Sequence, residues 1–163
     1  MVEPPFATGK PVVNTEFGMG TYQGAEKKGL ALSLGGMVDG KRLFAHSLPL
    51  VGRFVRPRLT GVFVRDEELQ ARELAETLAI LDATGVDGAF VGTFLSAINP
   101  YDEDPRYDLD MAASTLVKTL AGGRRGNTYP DMTWEPKESF RAVADYYGRT
   151  LAADLGPQMA SAK

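Results

Sequence analysis

From Pro11 to Phe17 the chain reads Pro-Val-Val-Asn-Thr-Glu-Phe, with Gly9 and Gly18 punctuating its two ends. The β-branched pair Val12 and Val13 predicts a strand here, with Glu16 at its C-terminal lip. Order resumes at Asp66, an N-cap ahead of Glu67 and Glu68, whose charges suit the positive end of a helix. Leu74, Leu78 and Leu81 follow at helical spacing, and Gly85 stands where a C′ glycine belongs. Val86 to Phe94 then reads as a second buried strand, its glycines allowing close approach of packed neighbours. Strand, helix and strand in this order predict a βαβ unit with parallel strands and a right-handed crossover.

The remaining pattern is less regular. Residues 18 to 65 are rich in glycine and alternate short apolar runs with turns, and Val38-Asp39-Gly40-Lys41 reads as a hairpin turn. A connection of this length is usually functional or partly disordered. Ser96 to Asp110 reads as a loop leaving the same lip as Glu16's strand, rich in acids and tyrosines around Arg106. A short helix is predicted from about Met111 to Leu120, stopped by Gly122-Gly123. A last helix is predicted from near Thr133, with Pro136 in its first turn and Phe140, Val143, Ala144, Tyr147 and Leu151 on one apolar face. The expected organisation is one domain over 1–156, with a long loop insertion at 18–65 and a flexible tail at 157–163.

Composition narrows the class. At 163 residues and 44% hydrophobic content the chain suits one globular domain. A net charge of -3, with basic residues scattered among acids, gives no electrostatic reason to bind nucleic acid. Zero cysteines remove disulfides, thiolate metal sites and cysteine nucleophiles together. With neither a signal-peptide pattern nor an apolar run of transmembrane length, the expectation is a cytoplasmic protein without membrane partner, metal or cofactor.

The lip of parallel strands is where α/β folds place ligands and catalysis, which makes Glu16 the first candidate. Its structural alternative is a carboxylate accepting loop amides or pairing with an arginine. Tyr22, Tyr101 and Tyr107 offer aromatic faces and hydroxyls to a carbohydrate, against the plain reading of half-buried loop tyrosines. The acids from Asp102 to Asp110 do not match the EF-hand spacing, and Arg106 among them points to internal ion pairs in a solvated loop. His46, the sole histidine, has no serine and acid at a recognised spacing, and no role is assigned to it. Trp134 reads as an anchor for the last helix. Gly18-Met19-Gly20 with Gly24 follows a strand as a phosphate loop would, but Gly29, Gly35 and Gly36 interrupt the helix such a loop must open into.

Lys10 to Gly18, Tyr22-Gln23-Gly24, Val64 to Glu67, Gly85 to Phe90, Asp104 to Ala112 and Thr128 to Lys137 together resemble the C-terminal portion of glycosidase-like TIM-barrel proteins, often labelled abortive phage infection proteins. The likeness spans nearly the whole chain, and its most specific part runs from Asp104 to Lys137. It implies an α/β fold corresponding to about strands 7 and 8, with their helices, of a (β/α)8 barrel. It also implies that Glu16, closing the seventh strand, is the nucleophile of a retaining glycosidase. Phe94 stands at the end of the eighth strand, where such barrels often present a tryptophan platform to the sugar.

A retaining mechanism needs a second carboxyl about 5–5.5 Å from the first. In the family it comes from the fourth strand, so the acid/base is expected from outside this chain, by self-association or from an N-terminal barrel partner. Asp102, Asp104, Asp108 and Asp110 lie on the neighbouring loop, but the resemblance gives none of them that role. The other expectation is a non-catalytic carbohydrate-binding or interaction module, linked by the family label to phage defence.

Overall fold

The computed structural model describes residues 9–28 and 36–155. The chain is mixed α/β, with two small sheets and three α-helices among the described residues. The predicted tail at 157–163 lies outside them.

Strand β1, Val13–Phe17, pairs in parallel with β2, Gly88–Val91, and helix α2, Glu67–Ala83, lies between them in sequence. This is the expected βαβ unit. Asp66 caps α2 by accepting the Leu69 amide at 2.8 Å, and Gly85 takes a positive φ of 75° beyond its end. Leu74 and Leu78 are buried. They pack with Leu116, Val117 and Val143, against Phe17, Ala89 and Val91 of the sheet. The register of β1 on β2 is irregular between Asn14 and Phe17. Val13 and Phe90 remain exposed.

Three local expectations are corrected. Asp39-Gly40 is no hairpin turn: the Asp39 carboxylate accepts the Arg42 amide at 3.3 Å and caps helix α1, Gly40–Ser47. Asp-Gly serves a cap as readily as a turn, and an antiparallel bridge from Val38 to Leu59 fixes the cap here. The helix predicted over 111–120 is a 3-10 turn, Leu109–Ala112, followed by strand β3, Val117–Thr119. The helix start predicted at Thr133 is strand β4, Trp134–Pro136, antiparallel to β3. The pairing of these two segments overrides the helical propensity of each, and Pro136 closes its strand as an edge position allows.

Helix α3, Glu138–Leu155, packs along α2. It turns Val143, with Phe140 and Tyr146, toward the core, whereas Ala144 and Tyr147 of the predicted apolar face are exposed. Tyr147 reaches back along the surface and donates its hydroxyl to the Ala89 carbonyl at 2.6 Å. The Leu151 side chain lies outside the described part.

A second core joins the loops rather than the sheet: Met19, Tyr22, Ala25, Met37, Leu59, Leu109, Met111 and Ala112. The 18–65 segment therefore supplies buried residues of its own, with the Tyr22 ring meeting Phe63 edge-on at 5.3 Å.

Candidate functional site

The C-terminal ends of β1 and β2 meet at Glu16 and Gly92. The Glu16 side chain lies across Gly92 so closely that a Cβ there would stand 2.5 Å from Glu16 Cγ and 2.9 Å from Oε1. Absence of a side chain at Gly92 thus makes room for the carboxylate at the lip. Glu16 is exposed, and among the described residues it has neither an ion-pair partner nor an amide donating to it. Its structural alternative, a carboxylate tied to loop amides or an arginine, finds no partner among those residues. Gly18 is held against the Gly92 carbonyl and Ser114, and Thr93 donates its amide to the Ser114 carbonyl at 3.1 Å, so both strand ends are tied to the loop before β3.

Phe94 leaves the same lip, half-exposed, with its ring edge-on to Trp134 at 5.3 Å and near Phe140 at 6.2 Å. The tyrosines diverge from it. Tyr22 is buried in the loop core, where burial, and then the nearby Glu26, push its phenol pKa up. Tyr101 lies beneath two cations, Arg65 at 4.9 Å and Lys118 at 5.5 Å from its ring centroid. Tyr107 carries the Arg56 guanidinium at 4.2 Å. The sequence-predicted residues therefore divide into Glu16 with Phe94 at the lip, Tyr22 in the core, and Tyr101 and Tyr107 on the acidic loop.

That loop is only partly solvated. Asp104 and Arg106 form the expected internal ion pair at 2.6 Å, and the hydrogen bond from Arg106 holds the Asp104 carboxyl at about 2, below its ordinary value. Asp108 and Asp110 instead point inward and are buried. Arg65 grips Asp108 through Nε at 3.1 Å and Nη2 at 2.9 Å, reaches Asp110 Oδ2 at 2.6 Å, and places Nη1 2.9 Å from Glu67. Burial pulls the Arg65 pKa down, but Asp110 and then Asp108 outweigh it and hold it above its ordinary value. Glu67 is likewise kept below the ordinary carboxylate range, as Lys118 and then Arg65 overcome its burial.

Lys137 completes the cluster from the far side. Its fully buried Nζ lies 2.8 Å from Asp110 Oδ2, donates to Thr21 Oγ1 at 2.8 Å and meets Thr115 Oγ1 at 2.9 Å. Burial pulls its pKa down, opposed by Asp110. Gln70 ties this layer to α2, donating to the Met19 and Thr115 carbonyls and accepting from Ser139 Oγ. The network sits between the two cores and binds the lip loop, α2, the acidic loop and the start of α3 into one unit. Sequence reasoning missed it, although five of its members fall in the phrases that carry the resemblance: Arg65, Glu67, Asp108, Asp110 and Lys137.

A cavity of about 490 Å³ opens beside the acidic loop rather than over Glu16. Leu43, Ile98 and Leu109 give it apolar walls, and His46, Arg56, Asp102 and Tyr107 its polar edge. Arg56 pairs with Asp102. His46, left without a role by the sequence, turns Nδ1 to the Val55 carbonyl at 2.7 Å and the Gly52 carbonyl at 3.0 Å. Carbonyls only accept, so Nδ1 carries the proton and staples α1 to the turn after it.

Among the described residues no cluster of three or more histidines and acids is placed to hold a metal ion, and no helix is long and apolar enough to cross a membrane. No protein-family model matches the chain, and a search of curated proteins finds none similar to it.

Proposed function

We propose that the chain is a segment of a glycosidase-like (β/α)8 barrel, contributing the strands that correspond to the seventh and eighth, with Glu16 as the nucleophile of a retaining glycosidase. The observation that carries this reading is the exposed Glu16 carboxylate, without an ion-pair partner among the described residues, at the C-terminal end of a parallel strand and laid across a glycine of the next. The sheet supports it: helices cover one face of β1 and β2, while Val13 and Phe90 stay open to further protein.

In this mechanism a Glu16 oxygen attacks the anomeric carbon, the bond to the leaving oxygen breaks, and a glycosyl ester forms that water then hydrolyses. The leaving oxygen of an ordinary glycoside needs a proton from a second carboxyl. Asp108 and Asp110 are committed to Arg65 and Lys137, and Asp104 to Arg106, so these acids support the reading that the acid/base comes from other strands.

A dinitrophenyl 2-deoxy-2-fluoroglycoside separates the two roles, because its leaving group departs as a stable anion without a proton donor. The expected result is a covalent glycosyl adduct, found by mass spectrometry on the peptide containing Glu16 and absent from Glu16→Gln. Across a panel of sugar configurations, equal labelling of the wild type and Glu16→Gln, or labelling of neither, removes Glu16 as the nucleophile.

A non-catalytic carbohydrate-binding module is the second reading, favoured by the cavity edged by Tyr107, Arg56 and Asp102. It expects oligosaccharide-dependent chemical-shift changes at Tyr107 that survive Glu16→Gln.

A further inference from the structure

Helix α1 and the turn after it form a projecting element with unusual surface chemistry. None of the eight residues of α1 is buried. Phe44 is 68% exposed, Leu50 78% and Phe54 75%, with Leu43, Leu48 and Val51 also exposed beside them. A helix that buries nothing is normally polar all round, and this one is not. The element is nevertheless fixed: Asp39 caps α1, the Gly52 amide donates to the Leu48 carbonyl at 2.7 Å, and His46 Nδ1 donates to the Val55 carbonyl.

Charge is segregated in the same place. Residues 40 to 58 hold five cations, Lys41, Arg42, Arg53, Arg56 and Arg58, and no acid, which leaves a net charge of -8 for the rest of a chain whose total is -3. Arg56 and Arg58 are paired with Asp102 and Asp39. Lys41, Arg42 and Arg53 have no carboxylate partner among the described residues. We infer that the element spanning 40 to 58 docks on an anionic lipid surface, with Phe44, Leu50 and Phe54 inserted at the boundary of headgroups and acyl chains and Lys41, Arg42 and Arg53 facing lipid phosphates. Large apolar side chains exposed to this extent project rather than line a groove, which suits a deformable bilayer better than the contoured face of a protein. The inference concerns a membrane surface only and is independent of Glu16.

The test is co-sedimentation of the purified chain with vesicles of phosphatidylcholine alone, or of phosphatidylcholine mixed with phosphatidylglycerol. Each of these three cations is expected to strengthen partitioning onto the anionic vesicles about fivefold, so Lys41→Gln with Arg53→Gln lowers it by roughly 25-fold. Raising salt from about 0.1 M to about 1 M shortens the screening length from roughly 10 to 3 Å and releases the protein. Leu50→Ser with Phe54→Ser is expected to abolish binding with an unchanged thermal melt, since both positions are exposed. Equal binding to neutral and anionic vesicles, or undiminished binding by the serine variant, overturns the inference. So does absence of vesicle binding combined with a dimer, seen by light scattering, that the serine variant dissolves; a second copy would then cover the element.

Discussion

Lys137 Nζ lies 2.8 Å from Asp110 Oδ2 with both side chains buried, joining the residue before α3 to the loop before β3. The two are unequal partners. Asp110 also accepts from Arg65 and from Thr115 Oγ1, whereas Lys137 has, among the described residues, only the hydroxyls of Thr21 and Thr115 beyond Asp110.

Removing one member of a buried pair costs most when the other is left charged without compensation. Asp110→Ala strands Lys137 and frees Arg65, and is expected to lower stability by about 3–5 kcal/mol. Lys137→Met keeps the volume and leaves Asp110 with Arg65, so its cost is expected to be smaller, about 1–3 kcal/mol. Urea unfolding checks the order, and the double variant should cost less than the two singles together. A larger loss for Lys137→Met than for Asp110→Ala refutes the asymmetry.

Asp108 gives the network a pH dependence. Burial pushes its carboxyl up to about 6, against the pull of Arg65 and with Asp110 adding to the rise. Between the ordinary aspartate value of 3.8 and about 6 the folded chain keeps a proton that the unfolded chain has released. Stability from this group is therefore full at low pH and is lost as pH rises through that window, by on the order of 2–3 kcal/mol. Asp108→Asn cannot ionise, so the melting temperature of the wild type relative to this variant is expected to fall from pH 4 to pH 6. A relative rise would mean that Arg65 keeps Asp108 ionised throughout.

Tyr22 separates a core role from a ligand role. Its ring is packed on Phe63, and its hydroxyl is buried without a hydrogen-bond partner among the described residues. An unsatisfied buried hydroxyl costs about 1–3 kcal/mol. Tyr22→Phe removes it while keeping the ring, and is expected to leave stability unchanged or raise it by about 1 kcal/mol, with carbohydrate binding unaffected. A loss of stability above about 1 kcal/mol would reveal a partner for the hydroxyl.

The difference between what local sequence showed and what it hid is one of range. The cap at Asp66, the Leu74 and Leu78 stripe and the C′ glycine at 85 lie within a few residues of what they control, so the βαβ unit and the place of Glu16 could be read directly. Met111 to Leu120 carries helix-forming residues, but its partner in β4 decides its fate, and that pairing leaves no local mark. The network was hidden for the same reason: Thr21 and Lys137 are 116 positions apart, and Arg65 and Asp110 are 45 apart. Acid-rich loops look solvated until the cations that neutralise them are located, and here Arg65 and Lys137 stand on other elements.

Gly92 and Gly126 differ in what a methyl group would meet. A Cβ at Gly92 would meet the flexible Glu16 side chain, whereas one at Gly126 would stand 2.5 Å from the Trp134 backbone carbonyl. A side chain can swing aside, and a paired strand cannot. Gly92→Ala is therefore expected to change stability by less than about 1 kcal/mol, and Gly126→Ala to cost about 1–3 kcal/mol through backbone displacement. If the position of Glu16 over Gly92 sets its reactivity, Gly92→Ala also slows labelling by the fluoroglycoside while the melt is preserved, and Gly126→Ala does the reverse. Undiminished labelling of Gly92→Ala would mean that Glu16 attacks from another rotamer, and the glycine would then matter only for packing.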